Sequence, residues 1–168
     1  ISRSIGEWKS LRSTHTLAFQ EFENTHSKIK IAFVDLNNSE VCNLLNESKF
    51  KSNAEFAIII KWISESDWSN ELEINHDKNL LVFLPETTKS GIILRNKGYA
   101  EKISSYSTYS IDHNECLNLQ TTYNSTTSEE KVWFLSNNVR SRYSIIRNKS
   151  SEGIIQTSHS TEIRKIVN

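Results

Sequence analysis

"SEEKVWFLSNNVRSRYS", residues 128–144, holds two runs in which aromatic and β-branched side chains alternate with polar ones, separated by Ser-Asn-Asn. Strand-like runs broken by turn residues read as a β-hairpin. One arm carries Glu130 and the other Arg140 and Arg142, and the loop length decides whether they meet, because opposed residues of an antiparallel pair share a face. A three-residue loop, Ser136 to Asn138, sets Glu130 against Ser144, Val132 against Arg142 and Phe134 against Arg140. A two-residue loop sends the glutamate and the arginines to opposite faces. Both registers fit the sequence.

The same pattern continues on either side of this hairpin. Segments rich in Val, Ile, Phe, Tyr, Trp and Thr, bounded by Asn, Asp, Ser or Gly, predict strands near 8–22, 27–35, 54–64, 67–76, 79–84, 91–97, 100–111, 116–124, 128–136, 139–148 and 154–165. The exception is "NSEVCNLLNES", residues 38–48, where Ser39 can cap a first turn and Val41, Leu44 and Leu45 share a helical face. The chain therefore reads as all-β, with a short α-helix between the second and third strands. About ten consecutive strands joined by short turns favour an up-and-down antiparallel barrel, since closure removes unpaired edges. Barrels of that size can keep an interior cavity.

With 168 residues and no Pro/Gly/Ser linker, residues 1–168 are expected to form a single domain. Lys plus Arg and Asp plus Glu both number 20, so no basic excess favours nucleic acid or anionic lipid. The longest apolar runs, "FAIII" at 56–60 and "LLVFL" at 80–84, fall far short of the roughly 20 residues of a membrane span. No basic segment followed by an apolar stretch suggests secretion, so a reducing, intracellular setting is expected. Cys42 and Cys116 form no CxxC, and the five histidines show no ligand spacing, so no metal site is expected. GxGxxG, P-loop, GxSxG and HExxH motifs do not occur.

Alternation places Ala54, Phe56, Ile58, Ile60 and Trp62 on one inward face, and Trp68 with Asn70, Leu72 and Ile74 on the next. Two inward tryptophans either flank a flat aromatic ligand or are ordinary core indoles. Taken alone, "RSR" on a strand is either a solvated outer face or an inward anion site. The inward case needs compensating anions, and a ligand carrying carboxylates supplies them, because arginine grips a carboxylate with two parallel bonds.

Six stretches taken together resemble the S-type phycobiliprotein lyases, lipocalin-like barrels that attach open-chain tetrapyrroles to phycobiliproteins. They are "EWKSLRSTH" at 7–15, the Trp62 to Trp68 spacing, "GIILRNKGYAEK" at 91–102, "SEEKVWF" at 128–134, "NVRSR" at 138–142 and "TEIR" at 161–164, so that the likeness runs from Trp8 to Arg164. The resemblance implies that Arg140 and Arg142 hold bilin propionates, and that Glu130 lies near the pyrrole nitrogens as the catalytic residue. It further implies that Arg12 makes another propionate or ring contact, and that Trp62, Trp68 and Ser144 line the pocket. His15 falls on the face opposite Arg12. Asn137 and Ser141 depart from the family's habit at the hairpin tip, which bears on the choice of bilin.

By the same resemblance the chain needs no prosthetic group. Its substrate would be a phycobilin, and the bias toward Ile, Lys, Asn and Ser leans to phycoerythrobilin over phycocyanobilin. The implied partner is an apo-phycobiliprotein subunit, whose cysteine supplies the thiol, with the bilin delivered by a bilin reductase. A homodimer is compatible with this reading, and the implied location is the cytoplasm of a cyanobacterium or a plastid stroma. The alternative reading is a non-catalytic lipocalin-like carrier of bilin or of another carboxylate-bearing hydrophobic ligand.

Overall fold

The computed structural model describes residues 1–66, 75–97 and 105–166. After a 3₁₀ turn at Ser2–Ser4, the order is β1 (Gly6–Thr16), β2 (Glu21–Val34), α1 (Ser39–Glu47), β3 (Phe56–Ser66), β4 (Asn75–Thr87), β5 (Ser90–Arg95), β6 (Ser105–Ile111), β7 (Leu117–Thr122), β8 (Thr126–Ser136), β9 (Val139–Asn148) and β10 (Ile154–Arg164). Each strand pairs antiparallel with its chain neighbours and β1 closes on β10, so the sheet is a closed barrel. This is the all-β up-and-down architecture expected from the sequence, helix included.

Three expected boundaries differ. The segment 8–22 is not one strand: the chain reverses at residues 17–20, with Gln20 in the left-handed region at φ 53°. "LAFQ" carries none of the Gly, Asn, Asp or Pro that usually mark such a turn, so the pattern ran straight through it. The break expected between 76 and 79 is also absent, because β4 is continuous from Asn75 and pairs Asp77 with Trp62 and Lys78 with Lys61. Charged side chains tolerate that position because each finds a partner, Asp77 with Lys97 at 2.5 Å and Lys78 with Glu40 at 2.9 Å. Finally, Pro85 lies within β4 at a register shift rather than in a turn, where a missing N–H costs the ladder little. Asn38, not Ser39, caps α1: its side chain accepts from the Glu40 N–H at 2.9 Å. Residues 67–74, Trp68 among them, lie outside the described residues.

Two apolar clusters hold the barrel. Inside, Trp8, Ile29, Ile58, Phe83, Ile93 and Leu119 pack together. Outside, Val41 and Leu44 of α1 bury against Ala57, Val82, Leu84 and Ile92. The second cluster explains why "FAIII", "LLVFL" and "GIIL" are apolar at consecutive positions: β3, β4 and β5 face the lumen on one side and the helix on the other. The opposite wall is reversed in polarity, with Ser158, Ser160 and Glu162 buried while Ile163 is exposed.

One end of the barrel is tied to the N-terminal turn. The Trp8 indole N–H donates to the Ser4 carbonyl at 2.9 Å. Arg164 donates to the carbonyls of Arg3 and Ile5, each at 2.5 Å. Ile1 and Ser4 thereby reach the lumen and form part of its lining.

Candidate ligand-binding site

The tip of the β8–β9 hairpin combines both registers read from the sequence. Ser136 pairs with Val139, which leaves a two-residue tip of Asn137 and Asn138, but the register shifts between Phe134 and Ser136. A β-bulge places one extra residue on one strand, here Leu135, whose side chain is 64% exposed. Below the bulge Phe134 pairs with Arg140, Val132 with Arg142 and Glu130 with Ser144. Glu130, Arg140 and Arg142 therefore share the inner face.

They form a buried ionic cluster with two residues that the sequence reading did not select. Glu130 accepts from Arg95 on one oxygen at 2.9 Å and from Arg142 on the other at 3.2 Å. Arg140 donates to Glu162 at 2.5 Å, and Arg142 approaches the other Glu162 oxygen at 3.8 Å. Arg95 stands on β5, three strands from Glu130 in the sheet order, so its bond bridges two walls of the barrel. Trp8 lies between two guanidiniums, with Arg140 at 4.4 Å and Arg164 at 4.3 Å from its ring centroid. Such cation–π contacts, together with Glu162, let Arg140 stay buried with a fixed plane.

Electrostatics fix the state of these groups. Burial alone would push the Glu130 carboxyl up, but the Arg95 and Arg142 charges, the Arg95 hydrogen bond and the Arg12 charge outweigh it and hold it below its ordinary value. Glu130 is therefore a carboxylate at neutral pH. Burial pulls Arg140 below the ordinary arginine value while Glu162 pulls it back up; the guanidinium remains charged.

The cluster borders a cavity of about 220 Å³ that opens to solvent at its mouth. Its apolar wall includes Ile29, Ile58, Ile60, Trp62, Leu81 and Phe83, and its polar wall includes Arg12, Arg95, Glu130, Arg140, Arg142 and Glu162. Among the described lining residues, four arginines thus stand with two glutamates. Arg12, Trp62, Glu130, Arg140 and Arg142 are brought together as read from the sequence. Ser144 is inward and buried, but its hydroxyl pairs with Ser158 at 2.8 Å and it does not line the cavity. His15 is exposed and sits edge-on against Phe22 at 4.8 Å.

Arg95 and Glu162 escaped the sequence reading for identifiable reasons. Both faces of β5 are buried, so its alternation carries no contrast. β10 buries its polar face and exposes Ile163, the reverse of the usual pattern. An arginine ending the apolar run "GIIL" was the available signal, as was the Ser158, Ser160, Glu162 alternation.

A family model described as CpeS-like protein matches residues 1–165. The chain belongs to that CpeS-like family. Among its relatives, "Chromophore lyase CpcS/CpeS 3" of Trichodesmium erythraeum is 40% identical over 98% of this chain and 96% of its own length. "Chromophore lyase CpcS/CpeS 2" of Synechococcus sp. is 35% identical over 97% of this chain and 87% of its own. The solved S-type phycobiliprotein lyase CPES of Guillardia theta superposes with a TM-score of 0.86 at 29% identity, covering 99% of this chain and 91% of that one. Membership in the CpeS-like family and the lipocalin-like barrel agree with the resemblance carried by the six stretches.

Proposed function

We propose that this protein is a bilin lyase that binds an open-chain tetrapyrrole, phycoerythrobilin ahead of phycocyanobilin, and attaches it through a thioether to a cysteine of an apo-phycobiliprotein subunit. The observation that carries the reading is the buried Arg95–Glu130–Arg142 and Arg140–Glu162 cluster on the wall of an otherwise apolar cavity. Burying this many guanidiniums is costly unless anions compensate, and a dianionic, flat, apolar pigment complements both walls. The relatives' names supply the reaction class, and the composition bias favours phycoerythrobilin.

In the proposed reaction the acceptor's thiol adds across the ethylidene double bond of bilin ring A. Sulfur bonds to the ethylidene carbon, the proton goes to the adjacent ring carbon, and nothing leaves. The chain's own cysteines fit this division of labour. Neither lines the cavity, and burial pushes the Cys116 thiol up, away from the reactive thiolate. The protein's contribution is positioning, worth roughly 7–11 kcal/mol in ideal cases: Arg140 and Arg142 hold the propionates, Trp62 limits the ring planes, and Arg12 adds a further contact. Since Glu130 is ionised, its role is that of acceptor for pyrrole N–H groups and counter-ion to the protonated conjugated system, rather than proton donor.

The test mixes the purified protein with phycoerythrobilin or phycocyanobilin and an apo-phycobiliprotein subunit, and looks for a coloured adduct that survives denaturing electrophoresis. Adduct formation well above the protein-free rate supports a lyase, and binding without acceleration reduces the protein to a carrier. Glu130→Gln should retain bilin binding while slowing transfer; an undiminished transfer rate would refute the counter-ion role.

A further inference from the structure

A second opening lies at the end of the barrel that the N-terminal turn ties down, where β2, β4 and β6 finish and β3 begins. It is an open cleft of about 860 Å³ that shares Ile1 and Phe83 with the first cavity. Four aromatic rings from four strands line it in a row. Phe33 stands edge-on to Phe56 at 6.1 Å, Phe56 stacks on Phe83 at 4.5 Å, and Phe83 meets Tyr109 edge-on at 5.7 Å. Phe33 is 56% exposed, so the row begins in solvent and runs inward. Apolar surface left open and rimmed by polar groups marks an interaction site, as a single exposed residue does not.

Charge decides what the cleft accepts. Glu55 and Glu86 stand exposed at its rim. The Glu55 N–H donates to the Phe83 carbonyl at 3.0 Å, which brings the two glutamates together at the β3–β4 end. Among the described residues neither makes an ion pair. No lysine or arginine is among the lining residues, and the Ile1 amino group is held below its ordinary value by burial and then by the Arg3 charge, paired with neither glutamate. Burial, and then the charges of Glu55 and Glu86, push the Tyr109 hydroxyl above its ordinary value, so the field of both carboxylates reaches into the row. That hydroxyl makes no hydrogen bond among the described residues and is not one of the sealed unpaired atoms, so it keeps accessible surface.

Such a cleft repels the propionates of a bilin and attracts a cation. We propose that it is a docking site for a basic side chain, an arginine, of a partner polypeptide. The two carboxylates neutralise its charge, and the aromatic row supplies ring surface of the kind on which a guanidinium stacks. A polypeptide is the occupant that fits, because the cleft is open and far larger than one guanidinium and leaves room for the backbone that delivers it.

Proton–nitrogen NMR titrations with acetyl-Ala-Ala-Arg-Ala-Ala-amide, its citrulline counterpart and n-butylguanidinium test this, because citrulline keeps the side-chain shape and removes the charge. Wild type should bind the arginine peptide about tenfold tighter than the citrulline peptide, as a cation–π contact strengthened by carboxylates gives, with shifts centred on Glu55, Glu86 and Tyr109. n-Butylguanidinium should bind more weakly than the arginine peptide. In the double variant Glu55→Gln, Glu86→Gln the two peptides should bind alike. Both side chains are exposed, so the melting midpoint and the bilin titration of that variant should match wild type. No binding or equal binding of the two peptides by wild type, or a preference that survives in the double variant, overturns the docking site. So does n-butylguanidinium binding as tightly as the arginine peptide, which makes the cleft a small-cation site. The bilin reading stands or falls separately, on the pigment titration.

Discussion

Glu130 is 3% exposed and carries an arginine on each oxygen, so its ionisation is coupled to folding. Its folded value lies below the ordinary 4.5. A carboxyl depressed on folding binds fewer protons folded than unfolded in that interval, so its stabilisation is complete above about pH 4.5 and is lost as the pH falls through the lower folded value. Urea unfolding across this acid range should show a shallower pH dependence for Glu130→Gln than for wild type; parallel curves would mean the carboxylate is not depressed. The arginines separate by exposure. Arg142, at 23%, shares Glu130 with Arg95, so Arg142→Ala should weaken bilin binding by about 2 kcal/mol in an absorbance titration with little change in melting. Arg140→Ala weakens binding too, but it leaves buried Glu162 short of its nearest cation and should cost the fold about 3–5 kcal/mol. Alternation in "RSR" put Arg140 and Arg142 on one face, but both hairpin registers fitted the sequence, and only the family resemblance turned that face inward beside Glu130. Arg95 and Glu162 were not legible, because strands buried on both faces, or polar on the buried face, erase the contrast that alternation depends on.

At the level of elements, the Leu135 bulge decides which way Glu130 points. Deleting Leu135 should force either a one-residue slip or a strained tip, and a slip turns every side chain of one strand to the other face. The deletion variant should lose bilin binding, and retained affinity would show that the tip absorbs the missing residue without a slip. No feature of "LSNN" announces the bulge, since the extra residue is defined by pairing across the ladder and not by any local preference. Gly91 is a second geometric constraint: a Cβ there would stand 2.4 Å from the Leu84 carbonyl oxygen and 2.8 Å from Pro85 Cα. Both are backbone atoms that cannot swing aside, so Gly91→Ala should part β4 from β5 and lower the melting temperature, whereas an unchanged midpoint would mean the strands have slack. The helix is held by burial, and Leu44→Ala should cost roughly 2–5 kcal/mol through the void left over β3 to β5. The helix was legible from its 3.6-residue spacing. That it covers the outside of the barrel could be seen only as doubly apolar strands, a pattern equally consistent with a sandwich core.

For the whole molecule, a cavity with an apolar and a charged wall couples ligand binding to the stability of the fold. A ligand that binds only the folded state stabilises it by mass action, by about 2.7 kcal/mol at a free concentration a hundred times Kd. For a domain of this size that corresponds to a rise of roughly 5–11 °C in melting midpoint. Differential scanning fluorimetry with saturating bilin should show this rise, and a midpoint indifferent to bilin would place the pigment outside the barrel. Ring closure itself has a further consequence. Because β1 zips onto β10, the barrel wall offers no seam at which another polypeptide could be added as an eleventh strand. Recognition of the proposed acceptor subunit would then rely on shape and side chains, so under that reading surface substitutions should change docking strength and substitutions inside the chamber should change pigment binding, each without the other.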